Sequence, residues 1–224
     1  MSPFAVLATG STSVAGMSDQ HVPNGPGAPP ADTALPGGGA VRPITRWGES
    51  VMHRVQEPVT DFDETLRALV ADMVATMYAA DGVGLAACQI GVDRSVFVFD
   101  CPDDDHVRHQ GVVCNPVLFL PTGKDRRLDD GEEGCLSLPG AFVDCARPTY
   151  ARVGGQGLDG EPVSYAGTGL LARCLQHETD HCGGTVFGDR LGKRTRKKLF
   201  KEAEAHAEEY PGAWPVAAAE APTG

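Results

Sequence analysis

Apolar residues recur at helical spacing through Leu66, Leu69, Val70, Met73, Met77 and Tyr78. That period predicts an amphipathic helix packed on a core, and a methionine stripe so spaced belongs to that core. Thr60-Asp61-Phe62-Asp63 provides a start, with acids in the first turn, and Gly82 a stop. Residues 95–99 (Ser-Val-Phe-Val-Phe) predict a strand. Residues 112–120 form a second apolar run, in which Asn115-Pro116 marks an edge or bulge. Residues 149–158 and 161–165 flank Asp159-Gly160, a hairpin signal. Residues 168–182 predict a further helix, ended by Gly183-Gly184. Residues 193–210 predict a third, basic in its first half and acidic in its second, with a solvated face.

The two ends lack such periods. Residues 1–41 are rich in Gly, Pro, Ala and Ser and predict an unstructured extension. Residues 211–224 read as a flexible tail, which leaves one domain over residues 42–210. Met1–Gly16 carries no basic flank, so no secretory leader is expected. No apolar run reaches the ~18 residues of a membrane span.

Composition narrows the picture. A net charge of −11 opposes general binding to nucleic acid or to anionic membranes. The seven cysteines are odd in number and include no CxxC pair. They point to a reducing compartment, the cytoplasm, rather than a disulfide framework or a four-cysteine zinc module.

Chemistry enters at Gln176-His177-Glu178-Thr179-Asp180-His181. On a helix, His177 and His181 lie ~40° apart around the axis and ~6 Å along it, so both imidazoles face one way. That spacing suits two ligands of one metal ion. Glu178 stands beside the ion, placed to take a proton from activated water and pass it to a leaving group.

Catalytic metals usually have three protein ligands and an open position. Cys174 shares the face of His177, but its ~10 Å rise to His181 is too long for one ion. The HExxHxxGxxH pattern would need His at 187, where Phe187 stands. Glu202 or Glu204 could serve from the last helix, as in a metallopeptidase that takes a downstream Glu. Cys135 in Glu132-Glu133-Gly134-Cys135-Leu136-Ser137-Leu138-Pro139 is the other candidate, presented at a strand edge or loop. Gly82-Val83-Gly84-Leu85-Ala86-Ala87-Cys88-Gln89 has two glycines suited to a tight turn and close backbone approach. It lacks the spacing of a phosphate-binding loop.

Taken in order, the stretches at residues 82–89, 133–137 and 176–181 closely resemble the three signature motifs of peptide deformylase. The resemblance runs from about Arg42 through at least Leu191. It implies an α+β fold, with mixed or antiparallel strands around a central HExxH helix, an N-terminal amphipathic helix and a C-terminal helix. It implies a metal held by Cys135, His177 and His181, natively Fe(II), with zinc, nickel or cobalt as substitutes. Water activated there attacks the formyl carbon of an N-formylmethionyl peptide, releasing formate. Glu178 shuttles the proton, while the Gln89 amide and the Leu136 N–H resemble the oxyanion donors. Val83, Gly84, Glu133, Leu170 and Cys174 are the implied substrate contacts. Cys88 and Cys182 depart from the pattern without removing a ligand. Arg173 replaces a frequent apolar residue and is expected to be a helix-surface charge. The partners implied are nascent formylmethionyl polypeptides, met by a monomer. The basic start of the last helix points to contact with ribosomal RNA near the peptide exit.

Overall fold

The computed structural model describes residues 34–215. Most of the expected N-terminal extension, the proposed leader region included, and most of the expected tail lie outside the described residues. Residues 34–41 form no helix or strand, but Leu35 packs against the core. Gly39 lies so close to Ala71 and Asp72 that a Cβ would meet their backbone.

Helix α1 spans Glu64–Ala79. The Asp63 carboxylate accepts from the N–H groups of Thr65 and Leu66, capping the start predicted for this helix. Helix α2 spans Gly169–Cys182, the short α3 spans Phe187–Arg190 and α4 spans Lys193–Ala205. The last helix therefore stops short of residue 210, and a 3₁₀ turn at Ala207–Glu209 follows.

Five strands, β1 (Gly84–Ala86), β2 (Val96–Pro102), β3 (Arg108–Phe119), β6 (Tyr150–Gln156) and β7 (Pro162–Thr168), form one antiparallel sheet in that spatial order. Between β3 and β6 in the chain, β4 (Leu128–Cys135) and β5 (Leu138–Pro148) pair as a separate antiparallel hairpin. The β3–β6 register shifts between Cys114 and Val117, so the bulge expected at Asn115-Pro116 is present. Asn115 adopts φ 52°, and its side chain bonds the backbone of Val59 and the amide of Gln156.

Strand β2 shows why its sequence reads as an unbroken apolar run. Phe97, Phe99 and Cys101 face α2 with Val113, Ala151, Val153 and Leu175. Val96 and Val98 face α1 with Val70, Met73 and Met77. Burial on both faces removes the usual apolar–polar alternation. A third cluster joins the hairpin to the C-terminal helices through Val143, Cys145, Phe187 and Leu199. Helix α2 crosses the five-stranded sheet, and its far side meets the hairpin. The two sheets thus flank the helix that carries both histidines. No helix among the described residues is long and apolar enough to cross a membrane.

Candidate metal centre

His177 and His181 occupy successive turns of α2, and their Nε2 atoms approach to 3.1 Å. Cys135, at the end of β4, brings its Sγ to 3.4 Å from His181 Nε2. The ligand atoms of these three buried residues lie within 4.8 Å of one another. Two imidazole nitrogens and a sulfur so close leave room for one cation that all three can share. His177 Nδ1 donates to Glu133 Oε1 at 2.7 Å, which leaves Nε2 bare for coordination. The residues therefore fit a divalent metal. The donor group brought together among the described residues is Cys135, His177 and His181, and neither Glu202 nor Glu204 joins it as the downstream ligand the sequence left open.

Around this point the chain places three polar groups. Glu178 is buried, and its Oε2 has no hydrogen-bond partner among the described residues. Burial pushes its carboxyl up to about 7, and the nearby His177 only partly opposes this. Gln89 sits in a 3₁₀ turn after β1. Its Oε1 accepts from the Ala86 N–H at 2.9 Å, which aims Nε2 at Ser137 Oγ and Cys135 Sγ. Leu136 lies in the tight turn between β4 and β5, next to Cys135.

These residues open onto a cavity of about 550 Å³. Val83, Gly84, Leu170 and Cys174 line it beside His177 and Glu178. Gly84 is there because nothing larger fits: a Cβ would lie 2.6 Å from Glu178 Oε1 and 2.8 Å from Cys174 Sγ. Val83 and Leu170 are part-exposed and supply an apolar rim.

Two expectations are corrected. Glu133 borders the cavity, but its carboxylate is not available to substrate. It is held by His177, by Arg147 at 2.6 and 3.0 Å and by Arg173 at 2.9 Å. Burial alone would raise its pKa; the His177 and Arg147 hydrogen bonds outweigh that and hold it well below the usual carboxylate range. Arg173 is no surface charge. Its guanidinium donates to Glu133, to the Cys145 carbonyl and to Asp129, and its side chain is only 11 % exposed. The pull of this carboxylate cluster explains the inward turn.

The residue missed by the sequence reading is Arg147. It bridges Glu133 to Asp180 on α2, and Asp180 is bonded in turn by Arg190. A signal for it existed: Ala141, Val143, Cys145 and Arg147 are the inward positions of an alternating strand. A cation in that row has to be paired.

A Cys-His-His donor set on a helix and a hairpin, with a buried carboxylate beside it whose Oε2 has no partner among the described residues, defines a metal-dependent hydrolase. Residues 41–197 match the polypeptide deformylase family model. Peptide deformylase 1 of Streptomyces avermitilis is 53 % identical over 173 residues, covering 77 % of this chain and 80 % of that one. The crystal structure of a peptide deformylase from Legionella pneumophila superposes with a TM-score of 0.67 at 36 % identity, over 76 % of this chain and 97 % of that one. A peptide deformylase from Synechococcus elongatus, in complex with actinonin, gives 0.64 at 34 % identity, over 73 % and 86 %. The chain belongs to the polypeptide deformylase family.

Proposed function

We propose that the protein removes the formyl group from the N-terminal formylmethionine of newly made polypeptides, releasing formate. The observation that carries this is the convergence of the Cys135, His177 and His181 ligand atoms beside a cavity lined by Cys135, His177, Glu178 and Gln89. Cys135 Sγ and the two Nε2 atoms would hold a divalent cation, which when bound would supply Lewis acidity to lower the pKa of water and polarise the formyl carbonyl. Fe(II) is the native ion in this reading, with zinc, nickel or cobalt as substitutes; the donor set accepts several divalent ions.

Glu178 accepts the proton of the attacking water. Gln89 Nε2 and the Leu136 N–H donate to the oxygen on which charge develops, each worth about 3 kcal/mol. The C–N bond then breaks, and Glu178 passes its proton to the departing amine. Val83, Leu170 and Cys174 receive the methionine side chain, while Gly84 lets the peptide lie close to β1 in extended form. The protein acts as a monomer in the cytoplasm.

The test is formate release from formyl-Met-Ala-Ser by protein purified without oxygen and loaded with Fe(II). Rapid release is expected; none, with metal bound, overturns the reading. Gly84→Ala should lower kcat/KM by about 10²-fold, because a new methyl displaces Glu178 by a fraction of an ångström or more. Its metal content should stay unchanged, and a variant as active as the parent would remove Gly84 from the site.

The basic residues Lys193, Arg194, Arg196, Lys197, Lys198 and Lys201 begin α4 or lie on it, and we assign them contact with ribosomal RNA. Binding to ribosomes should weaken steeply with salt and on reversing Lys197 and Lys198. Binding indifferent to both would count against this contact.

A further inference from the structure

Part of the cavity lining comes from residues beyond the matched family region. That region ends at residue 197. Tyr210 and Trp214 nonetheless line the cavity, beside Leu136, Pro139 and Gly140. Their rings meet edge to face at 5.0 Å, and both are half-buried.

The segment is held down at several points. Arg46 Nη2 donates to the Tyr210 carbonyl at 2.6 Å and to the Pro211 carbonyl at 3.2 Å. The Arg46 guanidinium also lies 5.8 Å from the centre of the Trp214 ring. The Ile44 N–H donates to the Trp214 carbonyl at 2.9 Å. On the hairpin side Gly140, at φ 75°, leaves the gap that Tyr210 and His206 fill. A strap so fastened presents a pre-set aromatic face.

We propose that Tyr210 and Trp214 form the subsite for the side chain of the peptide's second residue, and that they select an aromatic or large apolar one. This rests on the deformylase reading. Successive side chains of an extended peptide point to opposite sides. When the first enters between Val83, Leu170 and Cys174, the second faces the strap. Aromatic rings there offer an edge or face to an incoming ring, and the cavity residues Leu136 and Pro139 add apolar surface.

The experiment compares formyl-Met-Phe-Ser with formyl-Met-Gly-Ser on the Fe(II)-loaded full chain. The kcat/KM ratio should favour phenylalanine by about tenfold. It should fall towards one in Trp214→Ala and Tyr210→Ala, mostly through KM for the phenylalanine peptide. A ratio near one in the native chain, or one unchanged in both variants, overturns the proposal. A second measurement stands apart from turnover and from the folding of those variants. The chain has two tryptophans, so Trp47→Phe leaves Trp214 as the reporter. Its emission should respond to Met-Phe-Ser at about tenfold lower concentration than to Met-Gly-Ser. Equal responses overturn the subsite. No formate from either peptide, with this emission difference intact, would strike at the deformylase reading and leave the subsite standing.

Discussion

Glu178→Gln is expected to slow formate release by about 10²–10⁴-fold, the span usual for a lost general acid–base group. Glutamine keeps the shape of the side chain, so the packing against Gly84 survives. It cannot take the proton from water or return it to the amine. Neither Cys135, His177 nor His181 relies on Glu178 for a hydrogen bond, so metal content should remain that of the parent. Stability should not fall. Glu178 is buried with one oxygen unpartnered, and an uncharged amide is no harder to bury than a carboxylate. Formate assay, metal analysis and thermal melting on one preparation would decide the matter. Retained activity, or loss of metal alongside activity, would remove the proposed role.

Arg147→Met should be the most damaging change away from the reacting atoms. Arg147 and Glu133 have side chains only 3 % exposed, and Asp180 only 7 %. Removing one partner of such a buried cluster costs about 3 kcal/mol, the low end of the usual range, because Arg173 and Arg190 still face the two carboxylates. That loss lowers Tm by roughly 6–12 °C in a chain of this size. Metal affinity should fall as well, by about 10–100-fold, since Glu133 orients His177.

The acid limb of the stability curve should shift with it. Glu133 has a folded pKa held below its unfolded value, so its contribution is complete above roughly pH 4.3 and fades as pH falls through the folded value. Without Arg147 that folded value rises towards the unfolded one, and acid unfolding begins at higher pH. Melting curves from pH 3 to 7 would show it. Unchanged Tm and metal affinity would mean the cluster is idle.

Periodicity carried much of this architecture. The apolar stripe from Leu66 to Tyr78, the paired runs around Asp159-Gly160 and the i, i+4 histidines each obey a local rule that the fold keeps. The β4–β5 hairpin was harder to see. Its first strand, Leu-Asp-Asp-Gly-Glu-Glu-Gly-Cys, has few apolar residues, because much of it is exposed and Glu133 points inward as an ion. Cys135 could be placed with the histidines only through resemblance to a family, since spacing alone left Glu202 and Glu204 open. Arg173 misled for a related reason: charge on a helix usually means solvent, and only the partner carboxylates across the hairpin reverse that. In the sequence Tyr210 reads as the end of a solvated helix and Trp214 as part of a tail, so neither is expected at the cavity. Their position depends on hydrogen bonds from Arg46 and Ile44, far back in the chain.

The hairpin shares no backbone ladder with the five-stranded sheet. It is joined to α2 by the Cys135 ligand position, by the arginine–carboxylate cluster and, at its outer side, by α3 and α4. A chelator that strips the cation cuts one of those ties and leaves the sheet's own ladder intact. Backbone amides in residues 128–148 should then exchange with deuterium sooner than those of β2 and β3, at a free energy below that of global unfolding. Exchange at the hairpin would thus record the fraction of molecules that carry metal, read from the protein's own amides without any turnover.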